Sequence, residues 1–126
     1  MSKKIISTSN APAAIGPYSQ AVLAGNTLYC SGQIALNPAT GELVMDSITA
    51  ETEQVMTNVA AVLKAADMDF THVVKCSIFM SSMEHYAAIN TVYAKYFSSD
   101  PPAREAVAVK TLPKEVNVEI SVVAVK

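Results

Sequence analysis

Arg104 is the chain's single arginine; it follows a double proline and opens a valine-rich run. After a break at Leu112-Pro113-Lys114 a second apolar run carries one acid, Glu119, at its centre. Period-two alternation makes both runs strands. It places Val116, Val118, Ile120, Val122 and Ala124 on one face of the second strand, with Asn117, Glu119 and Ser121 on the other. In the first strand Val107 and Val109 form the apolar side, and Arg104, Ala106, Ala108 and Lys110 the other. The expectation is that Arg104 and Glu119 both point away from the more apolar face. All other Lys/Arg positions are lysine, so one planar guanidinium stands where its fork geometry could matter. The small Ala106 and Ala108 leave backbone that a small ligand could approach. The plainer alternative is an ion pair on a half-exposed sheet.

The elements that position this pair follow from the rest of the chain. Lys4-Ile5-Ile6 suits a short strand, and the proline-broken segment Asn10–Pro17 lies along the body. Tyr18–Leu23 and Thr27–Ser31 form a hairpin about Gly25-Asn26. Gly32, at the end of that hairpin, marks a bulge or the close approach of another backbone or a ligand. Ser47 caps a helix with the stripe Ile48, Thr52, Val55, Met56, Val59, Val62, Leu63 and Ala66; Glu51 and Glu53 suit its positive end. Asp67-Met68-Asp69 ends it without the usual glycine. His72–Met80 is the next strand, and strand-helix-strand predicts a parallel neighbour reached by a right-handed crossover. Ser81 or Ser82 caps a second helix, Ser81-x-x-Glu84 having the form of a capping box. Its buried stripe is Met83, Tyr86, Ile89, Asn90, Tyr93 and Phe97, with Asn90 bracing a loop through bonds to backbone.

The order β-β-β-α-β-α-β-β makes an α+β fold, a six-stranded mixed sheet with two helices on one face and the other face bare. The 126 residues form one domain, 1–126. At 51% hydrophobic and 16% charged the chain is apolar, so the bare face is expected to be buried between identical subunits. A net charge of −2, with no Lys/Arg cluster beyond Lys3-Lys4, argues against nucleic acid as a partner. Cys30 and Cys76, without a CxxC or histidine companion, are read as buried free thiols of a cytoplasmic protein. His72 and Cys76 stand too far apart to clamp one metal. No signal-peptide core or membrane-length apolar run is present in the sequence.

The segments Ala14-Ile-Gly-Pro-Tyr-Ser-Gln20, Ser31-Gly-Gln-Ile34, Asn37-Pro-x-Thr-Gly-Glu42, Pro102-Ala-Arg104, Leu112-Pro-Lys114 and Val118-Glu-Ile120 closely resemble the RidA/YjgF family of enamine/imine deaminases, in the same order and nearly end to end. The resemblance implies a chorismate-mutase-like fold and a homotrimer whose sheets form a central barrel, with sites in the clefts between subunits. It implies hydrolysis of 2-enamino and 2-imino acids, such as 2-aminoacrylate, to 2-keto acids and ammonia, without metal or organic cofactor. Arg104 matches the arginine that grips the substrate carboxylate. Glu119 matches the acid that positions or deprotonates the attacking water. Tyr18, Ser31, Gly32 and Asn90 match residues lining or bracing the pocket. Ala106 stands where many members have cysteine, which leaves only backbone groups to serve the substrate there. Glu105 replaces a small residue; alternation turns it toward the helix side, and were it to fold back on Arg104 it would neutralise the carboxylate grip. These two departures keep open a non-catalytic module that binds 2-keto acids and regulates partners. RNA cleavage, reported for some relatives, meets the acidic pI of about 5.6.

Overall fold

A computed structural model describes residues 2–126. Its elements are β1 (Lys3–Ile6), β2 (Ala21–Ala24), β3 (Thr27–Cys30), α1 (Ile48–Ala65), β4 (Val73–Met80), α2 (Tyr86–Ala94), β5 (Ala103–Ala108) and β6 (Val118–Val125). Single 3-10 turns occupy Phe70–His72, Met83–His85 and Pro113–Glu115. The second strand is shorter than expected, because Tyr18–Gln20 belongs to the irregular segment before it. The six strands form one mixed sheet in the order β1-β2-β3-β6-β4-β5. All neighbours are antiparallel except β4 and β5, which α2 joins in parallel. The crossover through α1 has no parallel neighbour at its end: β6 is inserted between β3 and β4 and pairs antiparallel with both.

The two helices pack on each other, and their buried residues share one core with alternate residues of the sheet. From α1 come Val55, Met56, Val59, Val62 and Leu63, and from β6 come Val118, Ile120, Val122 and Ala124. Asp67 ends α1 in the left-handed conformation (φ 58°) that glycine usually supplies. The Met68 N–H reaches back to the Leu63 carbonyl at 2.9 Å, and the buried Met68 side chain joins the core. The cap of the second helical segment is Ser82, which accepts from the Glu84 N–H; the capping box at Ser81 does not form. The buried side of α2 is Ile89, Val92 and Tyr93, whereas Met83 and Tyr86 are exposed, because the turn Met83–His85 rotates the helix entry away from the expected stripe.

The bare face of the sheet is itself apolar. Ile5, Tyr29, Val107 and Val125 are exposed there, the most open (Tyr29) at 54%. This overturns the expected facing of β5. In the parallel β4–β5 ladder, Arg104 is aligned with the buried Cys76 and Ala106 with the buried Ile78, so both lie on the helix side. Val107 and Glu105 face the other way. With Val107 on the open side and Ala106 against the core, the greasier row of β5 is the one away from the core. Arg104 and Glu119 therefore lie on opposite faces of the sheet. Cys76 is buried but Cys30 only half-buried; burial pushes the Cys30 thiol up to about 12 and raises Cys76 as well.

Candidate active site

Helix α2 presents Tyr86, Asn90 and Tyr93 on one side at helical spacing, and Arg104 is seated against them. Its two terminal nitrogens donate to Asn90 Oδ1 and to the Tyr86 hydroxyl, each at 2.8 Å. The guanidinium carbon lies 4.9 Å from the Tyr93 ring centre and 5.7 Å from that of Tyr86, within range of a cation–π contact. Asn90 thus holds a side chain, not the backbone of a loop as expected. Among the described residues no carboxylate lies within ion-pair distance of Arg104. The guanidinium is oriented by neutral partners and keeps its charge and further N–H donors for a ligand.

Glu105 is not the threat to Arg104 that its sequence position suggested. On the open face it pairs with Lys75 at 2.8 Å and accepts from the Ser77 hydroxyl. The Lys75 and Ser77 hydrogen bonds hold its carboxyl below the ordinary carboxylate range. Its turn to the open face follows from the same alternation that sends Arg104 to the helices.

Glu119 lines a cavity of about 570 Å³ together with Tyr18, Ser31, Gly32, Gln33 and Lys114. Its carboxyl is half-buried, and desolvation raises its pKa above the ordinary 4.5. A carboxylate so raised is a stronger base toward a water than an exposed one. Gly32 is packed hard against it: a Cβ there would lie 2.8 Å from Glu119 Cδ. The approach is fixed by reciprocal backbone bonds between Gln33 and Ile120, at 2.8 and 3.1 Å. Ser31 donates through its hydroxyl to the Ser19 carbonyl, which ties the hairpin end to the segment carrying Tyr18.

Two braces of this cavity escaped sequence reasoning. Asn58, fully buried on α1, donates to the carbonyls of Ile34 and Leu36 at 3.0 and 2.9 Å. Gln20 exchanges bonds with Thr8 and donates to the carbonyls of Ala11 and Pro12, holding the irregular segment in place. The only signal for Asn58 was an amide flanked by Val55, Val59 and Val62 on one helix. The structure thus brings Tyr18, Ser31, Gly32 and Glu119 together, and separately joins Arg104 to Asn90. Ala106 packs against the core on the same strand face as Arg104, two residues along β5, and is not among the residues lining the Glu119 cavity. Within the chain the two groups are divided by the sheet, with β4 between β6 and β5.

The family model described as Endoribonuclease L-PSP matches residues 8–126. The 2-iminobutanoate/2-iminopropanoate deaminases of Capra hircus and Bos taurus are each 49% identical over 124 residues, covering 98% of this chain and 90% of theirs. A crystal structure from Yersinia pestis, described as a protein of unknown function of the conserved Rid family, superposes with a TM-score of 0.97 at 45% identity, covering 99% of this chain and all of that one. The likeness spans the segments that carry Tyr18, Ser31, Gly32, Arg104 and Glu119, and the chain belongs to the RidA/YjgF family.

Proposed function

We propose that this protein hydrolyses reactive 2-imino acids, and the enamines that tautomerise to them, to 2-keto acids and ammonia. The observation that carries the reading is the pair of half-sites: a cation held by neutral groups, and a desolvated carboxylate in a cavity, on opposite faces of one sheet. A homotrimer whose apolar open faces line a central barrel, as the family resemblance implies, would set Arg104 of one copy beside Glu119 of the next. The exposed Ile5, Tyr29, Val107 and Val125 supply the apolar surface for it.

In that cleft the Arg104 fork grips the substrate carboxylate and fixes where C2 lies. Glu119 orients a water and takes its proton as the water oxygen bonds to C2 and the C=N electron pair moves to nitrogen. That proton passes to the nitrogen to give the carbinolamine. Its C2 hydroxyl then gives up its proton through Glu119 to the leaving nitrogen as C=O forms and the C–N bond breaks, and ammonia and the 2-keto acid leave. An imine carbon is already electrophilic, so holding substrate and water in register supplies most of the help. Tyr18, Ser31 and Gly32 shape the wall, and no cofactor enters the scheme. We assign the protein a cytoplasmic role in clearing such imines. The alternative of a 2-keto-acid-binding regulator that does not turn over loses one of its two grounds, because Glu105 is engaged by Lys75.

The test is to generate 2-aminoacrylate with a dehydratase and follow pyruvate and ammonia. The protein should accelerate both, and Arg104→Ala should not. Equal rates with and without protein would refute the proposal.

A further inference from the structure

Glu51 is 1% exposed on the first turn of α1, yet it makes no ion pair among the described residues. From the sequence it is an acid placed for the helix dipole; in the fold it does something more specific. Its Oε2 accepts from the backbone N–H of Asn117 at 2.8 Å and of Val118 at 3.2 Å, and its Oε1 accepts from the Asn117 side-chain amide at 3.0 Å. Asn117 in turn accepts from Ser81, through its side chain at 2.8 Å and its carbonyl at 3.0 Å. One carboxylate therefore binds the start of α1 to the first residues of β6 and, through Asn117, to the end of β4.

The clamped residues immediately precede Glu119. Just before them Lys114 and Glu115 take φ values of 56° and 55°, a left-handed conformation that non-glycine residues hold only where their surroundings impose it. Lys114 lines the same cavity as Glu119. A strand's facing is set by its rotation and register, and two successive backbone N–H groups held by one carboxylate fix both. We infer that Glu51 is a positioning residue for the reaction, holding the entry to β6 so that the Glu119 carboxylate stays in the cavity against Gly32. This rests on the proposed role of Glu119 as the group that handles water.

The test compares kcat and KM for imine hydrolysis in Glu51→Ala, Glu51→Gln and Asn117→Ala, with Glu119→Gln as control. Glu51→Ala should lose at least ~10-fold in kcat with KM within about twofold, since Arg104, which grips the substrate, is untouched. Glu51→Gln keeps one oxygen to accept both backbone N–H groups while the Asn117 amide turns over, so its kcat should stay within about threefold of wild type. Asn117→Ala, which removes one of the three bonds to Glu51 together with the bond from the Ser81 hydroxyl, should fall between. Wild-type kcat in folded Glu51→Ala, a loss confined to KM, or a Gln variant no better than Ala would overturn the inference. If Glu51→Ala does not fold, Asn117→Ala decides, a lower kcat at unchanged KM supporting it and a wild-type kcat overturning it. Full activity in Glu119→Gln would instead overturn the role of Glu119 itself, and the inference with it.

Discussion

Gly32→Ala is the sharpest single probe of the Glu119 cavity. Gly32 does not take a positive φ, so the backbone accepts alanine without strain. The new methyl would meet Glu119 Cδ at 2.8 Å, Cγ at 3.0 Å and Oε1 at 3.1 Å. The closest approach falls short of ordinary van der Waals contact, which begins at 3.4 Å, by roughly 0.6 Å. The atoms struck are the carboxyl group of Glu119 and the methylene that bears it, so the carboxylate must swing aside or β6 must move from Gln33. The off-rotamer cost is about 1 kcal/mol, enough to lower the melting temperature by a few degrees and leave the fold intact. The catalytic cost is larger, since displacing a reacting group by the order of 1 Å costs up to ~100-fold in rate. Steady-state kinetics with a dehydratase-generated imine should show kcat down by ~10- to 100-fold with KM nearly unchanged. A folded Gly32→Ala protein with kcat within twofold of wild type would refute the claim that this contact holds Glu119 in place.

Three further expectations follow from the same geometry. Because burial raises Glu119, kcat/KM should fall on the acid side with a limb lying above 4.5, and Glu119→Gln should abolish that limb along with most of the rate. The linkage sign is that of a raised acid: the ionised form opposes folding above its unfolded pKa, and this penalty fades as pH falls through the folded value. Glu119→Gln should therefore be as stable as wild type or more so at neutral pH, with the difference closing in acid; a variant less stable at neutral pH would contradict the desolvation. Asn58→Ala leaves the Ile34 and Leu36 carbonyls without their donor and should destabilise by ~1–3 kcal/mol in denaturant melts, whereas a loss under about 0.5 kcal/mol would mean that the loop holds itself.

How much of this was legible in the sequence depended on whether polarity marked position. The element order, the hairpin at Gly25-Asn26 and the core stripe of α1 followed from periodicity and turn residues. Glu119 was legible as a lone acid within an apolar run, and Gly32 as a crowded strand end, but that the crowding comes from the Glu119 side chain was not. The facing of Arg104 was not, since both faces of this sheet are apolar and alternation alone cannot say which row meets the helices. Glu51 and Asn58 were hidden for the opposite reason: polar residues on a helix suggest its wet side, and their partners are backbone groups far away in sequence. The insertion of β6 between β3 and β4 depends on the closing strand, which local pattern does not locate.

The account stands on Arg104 and Glu119 working together across two copies of the chain, and mixing two disabled variants measures this directly. Arg104→Ala and Glu119→Gln, each inactive alone, are unfolded together and refolded in equal amounts. Random trimers of a shared site place an intact Arg104 beside an intact Glu119 in about a quarter of all clefts, so about a quarter of wild-type activity should return. A mixture as inactive as its components would contradict a site assembled between neighbouring copies.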